Sequence, residues 1–568
     1  MAFWLRTKTK QKQKQKQKPS TSQVPDQILE QHSDKQVTQK MDDTIAFIQS
    51  VLGDNDDFTL RRFQIFGQHP AALLFFDSLT NKTTLNTEIL KPLMQIPAHG
   101  KEVKTSPTDL QQLLQNDILY QVESRLESNV AALVDGILRG EVVVIADGWV
   151  EAFLIGSRSV EKRAVEQPPT EQVVRGPREG FIEALMSNLS LLRYRLPTSD
   201  LRIKMMNIGR ITKSKVAICY LEGIVNPDLV TEVRSRLESI DIDGVLDTGY
   251  LEQLIEDNHL SPFPQVQNTE RPDKAVANLL EGRVIILLDG SPFALILPSV
   301  FTQFYQSMED YSERFIMGSM VRFARLVALV FSLIFPSLYV STISFNPELI
   351  PTKFAVAVAG GRAGVPFPAV IEVLIMEISM EVLREATLRM PQQVGGALSI
   401  VGVLVIGEAA VAAGFVSPIT VVVVALTTIG SFATPAYNAA IALRMLRFPL
   451  IICSGVFGLY GVMIGLIVII NHMLSLRSFG VPYISPVVPG NFQGMKDSLI
   501  RAPLWWMKKR PTQLHTPNSN RLGEKTIQQL KKANHNTLDP LKVGNQRWKE
   551  PDGVSSSDNS NPSSGDSD

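Results

Sequence analysis

The chain has 568 residues, with 56 Lys and Arg against 56 Asp and Glu, so its formal charge is +0. Such a balance leaves no basic field for nucleic acid, and two cysteines, Cys219 and Cys453, in unlike segments exclude a disulfide framework. The mean hydropathy of +0.07 averages a polar first half with an apolar second half, which points to a soluble head, a membrane domain and loose ends.

Residues 1–40 are rich in Lys, Gln, Ser and Thr, lack apolar periodicity and read as a disordered basic arm. Phe3–Leu5 is too short for the apolar region of a secretory signal. The fold class expected is a two-lobed α/β head, lobes 41–165 and 166–302, followed by an α-helical transmembrane domain of about four to six segments. Strands are predicted at Thr59–Ile65, Ala71–Phe76, Val142–Ala146, Ala152–Ile155, Lys215–Tyr220, Val284–Leu288 and Ala294–Leu297. Helices are predicted at Met41–Leu52, Asp109–Glu123, Arg178–Leu185, Leu229–Ser239, Leu251–Asp257 and Lys274–Leu280.

The lobes look related. ILRGEVVVIADGWVEAFLI (137–155) is similar to LLEGRVIILLDGSPFALIL (279–297) at an offset of 142, and ALLFFDSLTN (72–81) to VAICYLEGIVN (216–226). Gly140 and Gly282 fit helix C-caps, and Asp147-Gly148 and Asp289-Gly290 fit hairpin turns. Arg178, Glu179, Arg193, Arg195, Glu270 and Arg271 are the head's candidate polar anchors, with plain surface ion pairs as the alternative.

A linker helix over 303–325 brings Arg314, Arg322 and Arg325 ahead of the first span, which favours a cytoplasmic head. The transmembrane domain, 326–476, reads as Leu326–Phe345, Pro368–Met390, Val394–Gly414, Ile419–Leu443 and Phe448–Leu474. About 20 apolar residues cross a bilayer core, and Met390–Leu443 holds only one charged side chain, Glu408. Pro336 and Pro418 are candidate helix breaks. Ser454, Gly458, Gly461 and Gly465 form a small-residue face, suited to helix packing within or between subunits. An interfacial segment, 477–510, carries Trp505 and Trp506 among basic residues, and 511–568 reads as a disordered polar tail. Five crossings would put that tail opposite the head, whereas its basic stretch argues for the head's side.

The helix over 368–390 holds Glu372, Glu377, Glu381 and Glu385 among apolar residues. At about 100° per residue the last three fall within about 80° of one another, a single stripe. Each would cost about 2.5–3.5 kcal/mol at mid-bilayer, so the stripe must meet water or a cation. Three arrangements satisfy this. The stripe lines an ion pathway; or Arg362, Arg384 and Arg389 neutralise the acids; or the helix lies along the interface. No histidine sits at metal-ligand spacing and no phosphate loop appears, so neither enzyme activity, metal nor cofactor is expected.

Several segments resemble the A subunits of the spore germinant receptor (GerA) family over most of 42–510. They include GPREGFIEAL (176–185), FPQVQNTERPD (263–273), EGRVIILLDGSPF (281–293), MEDYSERF (308–315), LREATLRMP (383–391), RMLRFPL (444–450) and FGVPYISP (479–486). The resemblance implies a cytoplasmic head, an integral B subunit that senses nutrient, a lipoprotein C subunit and the inner membrane of an endospore. It also implies a homo-oligomer, a pentamer, forming a nutrient-gated ion channel. It assigns no pore residue, so Glu377, Glu381 and Glu385 rest on helix geometry alone. The rivals are a secondary transporter, which would show inverted repeats, and a non-conducting scaffold or signalling subunit.

Overall fold

Two five-stranded antiparallel sheets form the head, and they share one strand order. The structure is a computed structural model that describes residues 34–95, 110–111, 113–115, 124–158, 168–389 and 407–532. The first sheet holds β1 (Phe58–Ile65), β2 (His69–Phe76), β3 (Ser124–Glu127), β4 (Glu141–Ala146) and β5 (Ala152–Gly156), in the order β1-β2-β4-β5-β3. The second holds β6 (Leu201–Ile208), β7 (Ser214–Leu221), β8 (Gln267–Thr269), β9 (Val284–Leu288) and β10 (Ala294–Leu297), in the order β6-β7-β9-β10-β8. The similar sequences at 137–155 and 279–297 are therefore equivalent hairpins in equivalent sheets.

Both faces of each sheet are covered, which is why the central strands are apolar throughout rather than alternating. In the first lobe Leu74, Phe76, Val143 and Ile145 pack on α1 (Met41–Leu52) and α2 (Val130–Leu138). Their neighbours Leu73, Phe75, Val142 and Val144 face Leu85, Ile89, Leu93 and Leu114 on the other side. In the second, Cys219, Ile285 and Leu287 pack on α3 (Leu185–Arg195) and α6 (Pro272–Glu281). Ile218, Ile286 and Leu288 face α4 (Pro227–Glu238) and α5 (Thr248–Ile255).

Several expectations shift. The helix expected at Arg178–Leu185 starts instead at Leu185, because 178–184 is an extended loop whose Ile182 N–H donates to Asn188 Oδ1 at 2.8 Å. β6 and the edge strands β3 and β8 were not anticipated. Most of the helix expected at Asp109–Glu123 lies outside the described residues. Residues 34–40 and 511–522, assigned to loose ends, are attached: Val37 N donates to Ser128 O at 2.8 Å, and Leu514 is buried.

Two described helices are long and apolar enough to cross a membrane, α7 (Phe315–Phe345) and the stretch Tyr437–Ser475. α7 runs through Pro336 without ending. Pro418 breaks nothing, since it sits in the first turn of α10 (Pro418–Phe432), capped by Ser417. The expected single span Phe448–Leu474 is interrupted at Gly458 (φ 62, ψ −142), where the chain folds back. A Cβ on Gly461 would collide with Cys453 O, and one on Gly465 with Leu450, contacts that a straight helix cannot make. Arms 437–457 and 459–475 thus form a hairpin. Its tip, Gly458, rests on Phe345 at the far end of α7.

The remaining described helices are α8 (Thr352–Arg362) and α9 (Ala369–Leu388). α9 runs antiparallel to the first arm, with Val370 against Gly455 near the tip. α10 runs antiparallel to α7, with Thr420 bonded to Tyr339 at 3.1 Å and Gly430 beside Ala328. Both ends of the helical part therefore return to the head, and the segment from 477 to 522 continues along the second lobe as a strap. The strap thus lies against the second lobe, where Ser478 bonds Gln265 O and Ser299 N. The span expected at Val394–Gly414 falls largely outside the described residues.

Candidate functional site

The four glutamates of α9 divide into two kinds. Glu372 is fully buried, and both carboxylate oxygens are used. Oε1 accepts from Arg362 Nε at 3.0 Å, and Oε2 accepts from Ser417 N and Thr420 Oγ1, each at 3.0 Å. This set ties the end of α8 and the start of α10 to α9. Glu377 is also buried, and its Oε2 accepts from Arg447 Nη1 at 2.7 Å while Oε1 takes a weaker bond from Thr427 at 3.4 Å. Arg447 comes from the first arm of the hairpin, 70 residues away.

Glu381 and Glu385 differ. Their side chains are 41% and 61% exposed. Glu381 is bonded by Arg384 and lies 3.6 Å from Arg444, whereas Glu385 bonds Arg389 at 2.6 Å. Around them Ile378 and Val382 are exposed too, and with Phe448 they line an open groove. Arg384 lies over the Phe432 ring at 5.1 Å and Arg444 over Tyr437 at 5.7 Å, which keeps both guanidinium groups beside aromatic faces. Sequence spacing reaches Arg384 and Arg389 because they share the helix with their acids. It missed Arg444 and Arg447, although both stand in RMLRFPL, the one basic patch among those apolar runs.

Where head and helices meet, Asp310 holds Arg322 at 3.0 Å and Arg325 at 3.2 Å. Arg322 also bonds Asp497 of the strap at 2.9 Å, and Tyr311 donates to the same carboxylate at 2.7 Å. Arg501 donates to Glu313 O and Tyr311 O, so the strap is stitched to the base of α7. His472, at the end of the returning arm, bonds Ser261 of the second lobe at 2.9 Å. The second lobe thus touches the returning arm directly through Ser261, and the linker touches α7 and the strap through Asp310 and Tyr311.

The head anchors scatter. Arg193 is buried and makes two 2.6 Å bonds to Asp57, with its guanidinium 3.7 Å above the Phe76 ring. Asp57 and Phe76 belong to the first lobe, so this pair joins the lobes. Asp56 extends the seam, its N–H donating to Ile203 O at 3.1 Å. Arg195 pairs with Glu179 at 2.7 Å, and Arg178 is exposed. Arg271 is buried on Asp273 at 2.8 Å and also donates to Pro177 O. Beside it Glu270 accepts from Thr170 N at 3.2 Å, and burial pushes its carboxyl pKa upward. Of the small-residue face, Gly461 and Gly465 press on the preceding arm, Gly458 makes the turn, and Ser454 bonds Ile451 O. Among the described residues no cluster of three or more His, Cys, Asp or Glu is placed to hold a metal.

Residues 46–513 match the model of the Bacillus/Clostridium GerA spore germination protein family. The chain belongs to this family. It is 42% identical over 483 residues to spore germination protein KA of Bacillus subtilis (strain 168), covering 84% of this chain and 88% of that protein. It is 40% identical to spore germination protein GerLA of Bacillus cereus, over 83% of this chain and 95% of the relative. The uncharacterized membrane protein YfkQ of Bacillus subtilis (strain 168) is 38% identical over 85% of this chain and 93% of its own length. The crystal structure of the N-terminal domain of the A subunit of the Bacillus megaterium germinant receptor GerK3 is 30% identical, covers 47% of this chain and 98% of that domain, and has a TM-score of 0.37.

Proposed function

We propose that this GerA-family chain is the A subunit of a nutrient-responsive spore germinant receptor, and that copies of it assemble, as a pentamer, into a gated cation-favouring conduit. In this reading it is not an enzyme and needs no cofactor. It works with an integral B subunit that senses nutrient and a lipoprotein C subunit, in the inner membrane of the endospore, with head and strap cytoplasmic. α7, α9, α10, the two hairpin arms and the span expected at Val394–Gly414, which falls largely outside the described residues, cross the bilayer as a multi-pass domain. That even number of crossings keeps head and strap on one side. Nutrient binding to a partner shifts a closed–open equilibrium by its differential affinity for the two states, and the Asp310–Arg322–Asp497 knot carries the shift from head to helices.

One observation carries the reading. Glu381 is partly exposed and Glu385 exposed, each beside an arginine of its own helix, on a surface that also shows Ile378 and Val382. Carboxylates facing acyl chains are too costly, so this surface fits water or a neighbouring subunit. In a symmetric ring the pair would repeat as rings of acid that favour cations. A specific observation favours a second reading, a non-conducting scaffold: Glu372 and Glu377 are wholly consumed by arginine and hydroxyl partners. The double substitution Glu381→Gln with Glu385→Gln separates the two. Conduction predicts slowed or altered cation release from spores that contain normal amounts of receptor. Unchanged release at unchanged protein level removes this surface from the pathway.

A further inference from the structure

The strap does not lie flush on the second lobe. Between them is a cavity of 280 Å³, floored by Gln267, Asn278 and Arg283 of the lobe and roofed by Lys496, Trp506 and Arg510 of the strap. Its charge is one-sided. Lys274, Arg283, Lys496, Lys509, Arg510 and Arg521 line it against two acids, Glu281 and Asp497. Asp497 is occupied by Arg322, whereas Lys274 is balanced by Glu171 at 2.6 Å. Glu281 stands 3.6 Å from Arg283 and 3.8 Å from Arg521, beyond hydrogen-bond reach of both.

The remaining positive charge lacks a carboxylate. Arg510 is buried and gives its protons to Leu280 O, Asn518 O and Asn520 O. Lys496 rests 5.3 Å from the Trp506 ring, and neither it nor Lys509 has an acid within ion-pair distance among the described residues. Arg283, 2% exposed, turns its Nε toward Glu281 at 3.6 Å, an ion pair without a hydrogen bond. Buried donors are ordinarily paired, and burial here also pulls the Arg283 pKa down and pushes the Glu281 pKa up, the direction expected of an incompletely compensated site. Trp506 and Tyr311 add flat apolar surface.

We propose that this cavity binds a small organic anion, a carboxylate or a phosphate, clamped between the second lobe and the strap. Lys509 and Arg521 sit at the accessible side and supply the charge that draws the ligand in, while Trp506 packs on its body. Because Asp497 lines the cavity and also holds Arg322, occupancy alters the strap exactly where it meets α7. The site is made by this chain alone and stands whether or not the helices conduct.

The test uses the full chain in detergent and isothermal titration with benzoate, inorganic phosphate and, as an uncharged control, benzyl alcohol. The expected result is saturable binding of benzoate or phosphate, weakened about tenfold or more in the double substitution Lys509→Gln with Arg521→Gln. Lys508→Gln, which is outside the lining, leaves it unchanged. Tighter benzoate identifies a carboxylate with an apolar body, and tighter phosphate a phosphate ligand. Should the double variant lose its native melting transition, Lys496→Gln replaces it with the same expected weakening. Absence of saturable binding by either anion, equal binding of benzyl alcohol, or indifference to the substitutions overturns the proposal. Cation release by Glu381→Gln, Glu385→Gln spores reads the conduit independently, so the two ideas fail separately.

Discussion

Asp57–Arg193 in the head and Glu377–Arg447 between the helices are the same device in two solvents. Each is a buried carboxylate bonded to an arginine far away in sequence, at 2.6 Å in the head and 2.7 Å among the helices. The head pair sits in a seam with other polar contacts, Ser78 also donating to Asp57 at 2.8 Å and Asp56 N–H to Ile203 O at 3.1 Å. The helix pair has Thr427 at 3.4 Å and Arg384 nearby, with apolar residues such as Met376, Met380 and Val424 in the same layer. A buried ion pair gains little over a well-packed apolar replacement, yet losing one partner is expensive because a naked charge remains. The head can hydrate that charge by loosening its seam. The helices lack that outlet and keep only the more distant Arg384 near Glu377 among the described residues, so their pair is the stricter determinant of packing.

That contrast can be broken most directly at Arg447. Arg447→Leu strands the Glu377 carboxylate and should cost about 3–5 kcal/mol, read as loss of folded, detergent-soluble protein. Adding Glu377→Leu should recover most of it. Recovery failing in the double variant would mean the pair also specifies the helix arrangement. In the head, Arg193→Leu should cost less, about 3 kcal/mol, and should split the head's thermal unfolding into two transitions as the lobes uncouple. A single sharp transition would show that the rest of the seam suffices.

Glu252 supplies the third case, an acid with no ion-pair cation among the described residues. Burial, then Glu256 and Asp247, raise its pKa to about 8. Its folded pKa thus exceeds the unfolded one, so the stability linked to it is complete below the ordinary carboxylate range and is lost as pH rises toward 8. Glu252→Gln should therefore raise the urea midpoint at pH about 9 and do little at pH about 4, where the native residue is already protonated. A benefit independent of pH would contradict the linkage. The smallest effect is expected at Glu385, whose exposed pair with Arg389 is worth about 0.2–0.5 kcal/mol, so Glu385→Gln should leave the melting temperature nearly unchanged.

Local periodicity made much of the head legible. The strongly apolar strands β2, β4, β7, β9 and β10 could be read from runs such as VIILL, because sheets covered on both faces require continuous apolar residues. β6, LRIKMMNI, was missed, although Leu201 and Ile203 alternate with Arg202 and Lys204. Its polar positions face the other lobe, where Lys204 pairs with Asp54, and so look like surface. Among the helices, spacing within α9 supplied Arg384 and Arg389, but the partners of Glu377 and Arg193 come from 70 and 136 residues away. No period encodes such pairings. The fold-back at Gly458 was hidden for another reason: GxxxG spacing and an unbroken apolar run both suit a continuous span.

The reversal at Gly458 also bears on how the protein is made. Each arm meets its partner within the next few turns synthesised, since Leu450 reaches Gly465 and Cys453 reaches Gly461. The hairpin can therefore zip from its tip as a self-contained folding unit, before α7 has to find it. A β-branched residue at 461 or 465 would jam that zipper during biogenesis.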